Sequence, residues 1–257
     1  ALMQSQLKEI SLVEALHKER EVAELKKLFT SMLSHEFRTP LSTIVASVEM
    51  LERYSDRLNE VERGKRFETI RQQTVLLTDM LNDMLVIVQM QDNVLRFEPM
   101  PQDMSALLEK IVAQVRDSVG NNHQIELVVP PELPLIELDE RIFRYMILNL
   151  LTNALKYSSP GSKVAVEVQM TSRGVQVSVQ DAGIGIPNAD LPRLFEAFQR
   201  GQNVQAIGGT GLGLKIVKQC VEMHHGSVRI DSTENVGTTV TVTLPTRPDQ
   251  YPTPPPP

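Results

Sequence analysis

A histidine in the middle of a helical pattern is the first residue of this chain that could do chemistry. At 100° per residue, the apolar stripe that begins at Leu33 lies on one helix face and His35 points roughly the opposite way. A neutral imidazole nitrogen can attack phosphorus, and Glu36 could hold the other ring nitrogen and fix its tautomer. Thr39 follows one turn later on the same side. Taken alone, His35 is more often an ordinary solvated side chain, so other motifs must decide.

A second candidate is an amide-rich face on a later helical pattern. Asn149, Asn153 and Lys156 fall within a narrow arc of one face, and the opposite face is apolar. Two amide oxygens and an ammonium group suit Mg²⁺ and phosphate oxygens, because hard cations prefer oxygen ligands. For this motif alone, a merely solvated polar face is an interpretation of equal weight.

Two glycine-rich segments complete the set of candidates. Asp181 ends a predicted strand in Asp-Ala-Gly-Ile-Gly, where a carboxylate can accept a hydrogen bond from an adenine amino group and glycines let the backbone approach the base. Residues 209–213, Gly-Thr-Gly-Leu-Gly, open a helix whose backbone N–H groups form an anion site. This segment does not follow a strand, so it is neither a dinucleotide fingerprint nor a Walker A loop. Each segment alone is also compatible with a simple glycine-rich turn.

Composition restricts the fold that positions these residues. The 257 residues are 41% hydrophobic and 23% charged, which predicts two modest domains with buried cores. A formal charge of −6 argues against nucleic-acid binding, and the single Cys220 excludes an internal disulfide or a cysteine-rich zinc site. No apolar run reaches the ~18 residues of a membrane span, and a signal-peptide pattern is absent. We therefore expect a cytoplasmic portion of a protein.

The first part of the chain is predicted to be helical. Residues 1–30 have the spacing of a coiled-coil or signalling helix, and residues 31–93 that of a helical hairpin whose turn is made by residues 55–64. The second helix carries a nearly pure heptad stripe that includes Phe67 and Leu81. A lone hairpin leaves such a stripe in water, whereas two hairpins bury it in a four-helix bundle, so the pattern predicts a homodimer.

The rest of the chain is predicted to be a linker, a mixed domain and a tail. Residues 94–101 are the linker, and in residues 102–246 helices alternate with strand hairpins, which predicts helices layered on a mostly antiparallel sheet. The connection between Pro187 and Thr210 lacks a long element and has glycines at both ends, as a lid over a ligand would. Residues 247–257 are proline-rich and predicted to be a flexible tail.

These motifs, taken in order, resemble those of the sensor histidine kinases of two-component signalling. The matching segments are 34–41 for the H box, 149–157 for the N box, 181–185 for the G1 box, 195–198 for the F box and 209–213 for the G2 box. The resemblance covers roughly residues 20–245, and no core motif position departs from the family pattern. It implies a Bergerat-type α/β sandwich for the second domain and an active enzyme.

The resemblance also implies roles for individual residues. His35 would be the phosphoacceptor, Glu36 its general base, and Thr39 a residue that helps to dephosphorylate the partner regulator. Asn149 and Asn153 would hold Mg²⁺ and the phosphates. The remaining implied contacts to ATP are Lys156 at the triphosphate, Tyr157 at the base or ribose, Asp181 with Gly183 and Gly185 at the adenine, Arg200 at the γ-phosphate, and Gly209, Thr210, Gly211, Leu212 and Gly213 in the lid. Phe195 and Phe198 would anchor that lid, or serve simply as core residues.

The implied function is ATP-dependent autophosphorylation of His35 and transfer to an aspartate of a response-regulator receiver domain, with regulator dephosphorylation as a further activity. An ATPase of the same fold that drives a conformational clamp would leave His35 without a role. A catalytically silent dimeric scaffold is opposed by the intact Asn153 and Asp181. The sequence leaves open the stimulus and upstream sensor domain, the cognate regulator, phosphorylation in cis or in trans, the role of the tail and membrane attachment of the full-length protein.

Overall fold

The computed structural model describes residues 36–54, 57–91, 96–119, 123–199, 201–204 and 209–246. The chain divides into two units, residues 1–78 and residues 79–257. The predicted coiled-coil or signalling helix (1–30), the tail (247–257), His35 and Arg200 lie outside the described residues. Of the helices that the structure describes, none combines bilayer-spanning length with sufficient hydropathy.

Two long helices follow one another as predicted. Helix α1 is described over residues 36–53 and continues through Pro40, and α2 spans Glu60–Gln91. A reciprocal cap fixes the start of α2: the Glu62 N–H donates to Asn59 Oδ1 at 2.9 Å, and the Asn59 N–H donates to Glu62 Oε2 at 3.1 Å. The predicted helix–turn–helix order is confirmed. The predicted turn at 55–64 is too long, because this cap begins α2 at Glu60 and residues 60–64 are helical.

The apolar residues of these helices are divided between buried and exposed positions. On α2, Met80 and Ile87 are buried, whereas Phe67 and Leu81, both in the predicted heptad stripe, are 58% and 50% exposed. The other large apolar side chains that remain exposed on the two helices include Leu41, Val45, Val48, Val61, Val75 and Leu85. Part of the surface marked by the heptad pattern is therefore exposed in the described part of the chain.

The second domain is a five-stranded sheet with three packed helices. Its elements are β1 (Met100–Gln102), α3 (Met104–Val119), β2 (Gln124–Val128), β3 (Ile136–Leu138), α4 (Glu140–Tyr157), β4 (Lys163–Thr171), β5 (Gly174–Asp181), α5 (Gly213–Met223), β6 (Ser227–Thr233) and β7 (Gly237–Leu244). The sheet order is β2-β4-β5-β7-β6, with β2 parallel to β4 and the other pairs antiparallel, and β1 pairs with β3 separately. The helices pack on one another and on the sheet, which confirms the predicted layered arrangement.

Alternation along the central strands builds the core. Val166 on β4 lies opposite Val179 on β5, and the valines that these two strands place on this face are nearly inaccessible to water. Helix α4 supplies the largest buried side chain, Phe143, together with Ile147. Because α4 buries its apolar face completely, its polar face is fixed outward and can carry a site.

A buried polar cluster anchors residues 96–99 to the second domain. Asp139, the N-cap of α4, accepts hydrogen bonds from Arg141 N and Ile142 N, and its Oδ2 accepts another from the Glu98 N–H at 3.0 Å. The Phe97 ring meets the His224 ring edge-on, with centroids 4.9 Å apart. His224 is 1% exposed and is therefore a structural residue of the domain interior.

His224 is held in a single neutral form. Its Nε2 accepts from the Asp139 N–H at 3.2 Å, so Nδ1 carries the proton and donates to the Cys220 carbonyl at 2.8 Å. Burial is the main cause that lowers the pKa of His224. Just below pH 6.5, His224 is therefore protonated in the unfolded chain but stays neutral in the folded one.

This linkage predicts a loss of stability in mild acid. Above pH 6.5, the ordinary pKa of histidine, His224 is neutral in both states; below it, the unfolded state binds the extra proton and the unfolding free energy falls. The expected loss approaches about 1.4 kcal/mol per pH unit. Urea titrations between pH 7.5 and 5.5 measure it, and His224→Gln, which retains an acceptor for Asp139, should show a shallower slope. Equal slopes would contradict the assignment.

Candidate active site

The polar face of α4 carries the amide pair predicted to bind metal and phosphate. Asn149 and Asn153 are both half-buried on this face. Asn149 Nδ2 donates to the Tyr145 carbonyl at 2.8 Å, so the amide nitrogen is used within the helix and Oδ1 is presented outward. A methyl group at Gly213 would lie 2.8 Å from Asn149 Oδ1 and 3.3 Å from Asn153 Nδ2. The structure thus brings the N box against the first residue of α5.

The glycine segment before α5 follows a path that side chains would obstruct. Gly211 has φ +67°, a left-handed conformation, and a Cβ there would lie 2.8 Å from the Phe198 backbone. Its carbonyl accepts a hydrogen bond from the Phe198 N–H at 3.0 Å, and Phe198 itself has φ +62°. Leu212, the N-cap of α5, is fully buried. The F and G2 boxes are therefore one connected structure.

The end of α4 joins this segment through a lysine and a tyrosine. The Lys156 ammonium lies 5.1 Å from the centroid of the Tyr157 ring. A side chain at Gly209 would overlap that ammonium and would lie 3.6 Å from Tyr157 Oη. A side chain at this position would displace the end of Lys156. The Lys156 ammonium, the Tyr157 phenol and the backbone at Gly209 therefore lie next to one another.

Asp181 ends β5 with one carboxylate oxygen engaged. Its Oδ1 accepts from the Gly183 N–H at 2.9 Å and from the Thr238 N–H at 3.3 Å. Burial is the main cause that raises the pKa of Asp181, and these two backbone hydrogen bonds oppose the shift. Both bonds end on Oδ1, so a hydrogen bond from a ligand would fall to Oδ2.

The G1 segment is tied to the end of α4 and to the β6–β7 turn. The Ile184 N–H donates to the Tyr157 carbonyl at 3.2 Å, and Ser158 forms an isolated antiparallel bridge with Gly183. The Asn235 N–H donates to the Ile184 carbonyl at 2.7 Å. Gly185 has φ +62°, and its carbonyl accepts from Asn203 Nδ2 at 3.0 Å. The end of α4 therefore contacts both the G1 segment and, at Lys156 and Tyr157, Gly209 of the G2 segment.

Two contributors to this site had no signal in the sequence analysis. Thr238 supplies a backbone donor to Asp181 from 57 positions away, and Thr210 Oγ1 donates to Asp83 Oδ2 at 2.8 Å from 127 positions away. Thr238 could have been suspected only from its place after the glycine of the last hairpin. Asp83 could have been suspected only as a charge within an apolar helical pattern.

The residues predicted to act around the phosphoacceptor lie on α1, in the other unit. Glu36 is half-buried and Thr39 is exposed. The Thr39 carbonyl accepts from Thr43 Oγ1 at 3.0 Å, a hydrogen bond within the helix. The roles predicted for Glu36, Thr39, His35 and Arg200 remain predictions, as do the ligand-binding roles of the residues in the other unit.

Comparison with known proteins matches both parts of the chain. The family described as His Kinase A (phospho-acceptor) domain matches residues 25–93, and the family described as Histidine kinase-, DNA gyrase B-, and HSP90-like ATPase matches residues 138–248. Over 239 residues the chain is 31% identical to Drug sensory protein A of Synechocystis sp., an alignment that covers 88% of this chain and 36% of that protein. The chain spans 36% to 66% of the length of the first three curated relatives.

Solved structures of histidine kinases also match this chain. A structure of the mycobacterial sensor histidine kinase MprB is 32% identical, with a TM-score of 0.51, and the match covers 59% of this chain and 99% of that one. The histidine kinase ThkA, solved in complex with the response regulator protein TrrA, matches with a TM-score of 0.70 over 90% of this chain and 64% of that one. At 19% identity, the likeness to ThkA is one of fold. From the ordered motifs, the fold and these matches, the chain belongs to the sensor histidine kinases and combines their phosphoacceptor and ATPase-like domains.

Proposed function

We propose that this chain uses ATP to phosphorylate His35 and passes the phosphoryl group to an aspartate of a response-regulator receiver domain. The observation that carries the proposal is the convergence of Asn149 and Asn153 with the Gly209–Gly213 segment beside Lys156. Such a site offers amide oxygens, an ammonium group and a helix N-terminus, a combination suited to a polyphosphate. The phosphoacceptor family match over residues 25–93 supplies the second half of the reaction.

Each residue of the site has a distinct part in nucleotide binding. Asp181 Oδ2 accepts a hydrogen bond from the adenine amino group, which selects adenine over guanine. Lys156 and the backbone amides at the start of α5 bind phosphate oxygens. The half-buried oxygens on α4 fit Mg²⁺, which would be held by Asn149 and Asn153 and would neutralise phosphate charge when bound with ATP.

The chemical step is an in-line displacement at the γ-phosphorus. A nitrogen of the neutral His35 imidazole forms the new P–N bond as the bond from phosphorus to the bridging oxygen of ADP breaks, and ADP leaves with that electron pair. Glu36 accepts the proton that the imidazole loses. Catalysis in such transfers depends mainly on positioning and electrostatics. The labile P–N bond then suits transfer to a carboxylate of the regulator.

Labelling distinguishes this function from its two alternatives. Incubation with γ-labelled ATP should give protein-bound phosphate that is acid-labile and alkali-stable, as a phosphohistidine is. An ATPase that drives a conformational clamp would release labelled phosphate and leave the protein unlabelled. A silent scaffold would give neither product, and calorimetry would show no ATP binding.

The exposed apolar side chains of α1 and α2 support a homodimer as the working form. Val45 and Leu81 are each at least half exposed, and large apolar side chains are costly to leave in water. A second hairpin with the same surface would cover them in a four-helix bundle. We infer that the regulator docks on this bundle around His35.

Regulator dephosphorylation is proposed as a second activity, through Thr39. Its hydroxyl lies on an exposed helix face one turn after His35 and can both donate to and accept from a water molecule. The water would attack the phosphoaspartate of the bound regulator. The competing interpretation is a local hydrogen bond from this hydroxyl to the His35 carbonyl.

Thr39→Ala separates these interpretations. If the hydroxyl orients water, the variant should phosphorylate His35 and the regulator normally but dephosphorylate the regulator at least about tenfold more slowly. The measurement is the decay of purified phospho-regulator with ADP present. Thr39→Ser, which keeps the hydroxyl, is the matched control and should behave as wild type. Unchanged decay in Thr39→Ala would remove Thr39 from the mechanism.

A further inference from the structure

A carboxylate interrupts the buried face of α2. Met80, Ile87 and Met90 are buried and recur at the spacing of one helix face, and Asp83 lies on that face between them. Residues 79–91 belong to the same unit as the ATPase-like domain. An aliphatic residue would be the ordinary occupant of position 83, because burying a carboxylate without a partner is costly. We therefore expect the Asp83 carboxylate to have a hydrogen-bond partner.

That partner is the middle residue of the G2 segment. Thr210 Oγ1 donates to Asp83 Oδ2 at 2.8 Å and at the same time accepts from the Leu212 N–H at 3.1 Å. The hydroxyl is thus engaged both as donor and as acceptor. Gly209, the preceding residue, is the one that passes against the Lys156 ammonium. Asp83 consequently binds the segment proposed to surround the phosphates of ATP.

Two carboxylates of α2, Asp79 and Asp83, carry negative charge near Lys156, as the phosphates of a nucleotide would. Burial is the first cause that raises the pKa of Asp83, the Asp79 carboxylate raises it further, and Thr210 and Lys156 oppose the shift. Lys156 also acts on Asp79, whose pKa is raised by burial. Two carboxylates from α2 thus share the field of the cation assigned to the triphosphate. A polyphosphate and this acidic pair compete for the same positive charge.

We propose that Asp83 is an autoinhibitory latch, in which its carboxylate competes with the phosphates of ATP for Thr210 and Lys156. ATP binding then requires the end of α2 to release the G2 segment, so a movement of α2 sets the affinity for ATP. This inference rests on the proposed function, since it assumes that the phosphates bind at Lys156 and the G2 segment.

The test compares ATP affinities by calorimetry, with Mg²⁺ present, for the full chain. Asp83→Ala removes both the hydrogen bond and the charge, and it should bind ATP about three- to tenfold more tightly than wild type. Asn82→Asp combined with Asp83→Ala restores the net charge one position away, at an exposed residue. This double variant should keep most of the gain, because the latch depends on the contact. For AMP, which has a single phosphate, Asp83→Ala should increase the affinity by a smaller factor than for ATP.

Several outcomes would overturn the latch. Equal or weaker ATP binding by Asp83→Ala would do so, as would a gain that disappears in the charge-restored double variant, since the effect would then be long-range charge alone. If Asp83→Ala does not fold, Asp83→Asn, which keeps shape and removes charge, is measured in its place and the same criteria apply. Absence of ATP binding by wild type would instead contradict the proposed function.

Discussion

Substitution of His35 by glutamine is expected to abolish acid-labile labelling from γ-labelled ATP while leaving the affinity for ATP nearly unchanged. The substitution removes the nucleophilic nitrogen, and an amide cannot replace it in attack on phosphorus. His35 lies in the phosphoacceptor family match at 25–93, whereas the candidate nucleotide contacts lie on α4, β5 and the G2 segment. Labelling should therefore fall to background, a decrease of at least about a thousandfold, with calorimetric ATP binding retained.

A second histidine of the same region provides the control for this experiment. His17 also lies in the amino-terminal helical pattern, outside the H box. His17→Gln should retain full labelling, because the proposed phosphoacceptor is His35 and not any histidine of the helical pattern. Persistent label on His35→Gln protein would show that another side chain is the acceptor.

Asp181→Asn is expected to lower the affinity for ATP by about ten- to a hundredfold, the range of a hydrogen bond to a charged group. The asparagine would place its oxygen where Oδ1 accepts from the Gly183 and Thr238 N–H groups. Its NH₂ would then take the place of Oδ2 and present a donor to the adenine amino group, which is itself a donor. The variant therefore replaces an attraction with a repulsion.

The same variant should not lose stability. Burial raises the pKa of Asp181, so at neutral pH the folded state holds the ionised carboxylate at a cost. For a carboxyl whose pKa is raised on folding, stability declines as the pH rises through the unfolded value of 3.8 towards the folded one, and a neutral amide avoids this decline. The melting temperature of Asp181→Asn should therefore equal or exceed that of wild type.

Controls for the adenine contact use an exposed aspartate and a second nucleotide. Asp231→Asn, on β6 in an exposed pair with Arg229, should bind ATP as wild type does. GTP should bind wild type much more weakly than ATP, because guanine offers an acceptor where adenine offers its amino group. Equal affinities for ATP and GTP would contradict the role of Asp181.

The sequence alone determined the features that depend on neighbouring residues. The period of apolar residues predicts the helices, and Arg173–Gly174 and Gly237 mark the turns of the strand hairpins found in the structure. The candidate nucleotide residues were also identifiable, because side-chain chemistry at helical spacing, such as Asn149 with Asn153, is a local property. The F and G2 boxes adjoin as expected, since both belong to one glycine-bounded connection.

The tertiary structure decided which surfaces meet. Periodicity assigned Leu81 to the apolar stripe of α2, and only the packed molecule distinguishes it from Met80, which is 2% exposed. The bonds from Asp139 to His224 and from Thr210 to Asp83 join residues 85 and 127 positions apart. Such pairings depend on the relative placement of elements, and that placement is set by the burial of whole helix and sheet faces. A polar residue gives no sign in the sequence of which distant group its burial will require as a partner.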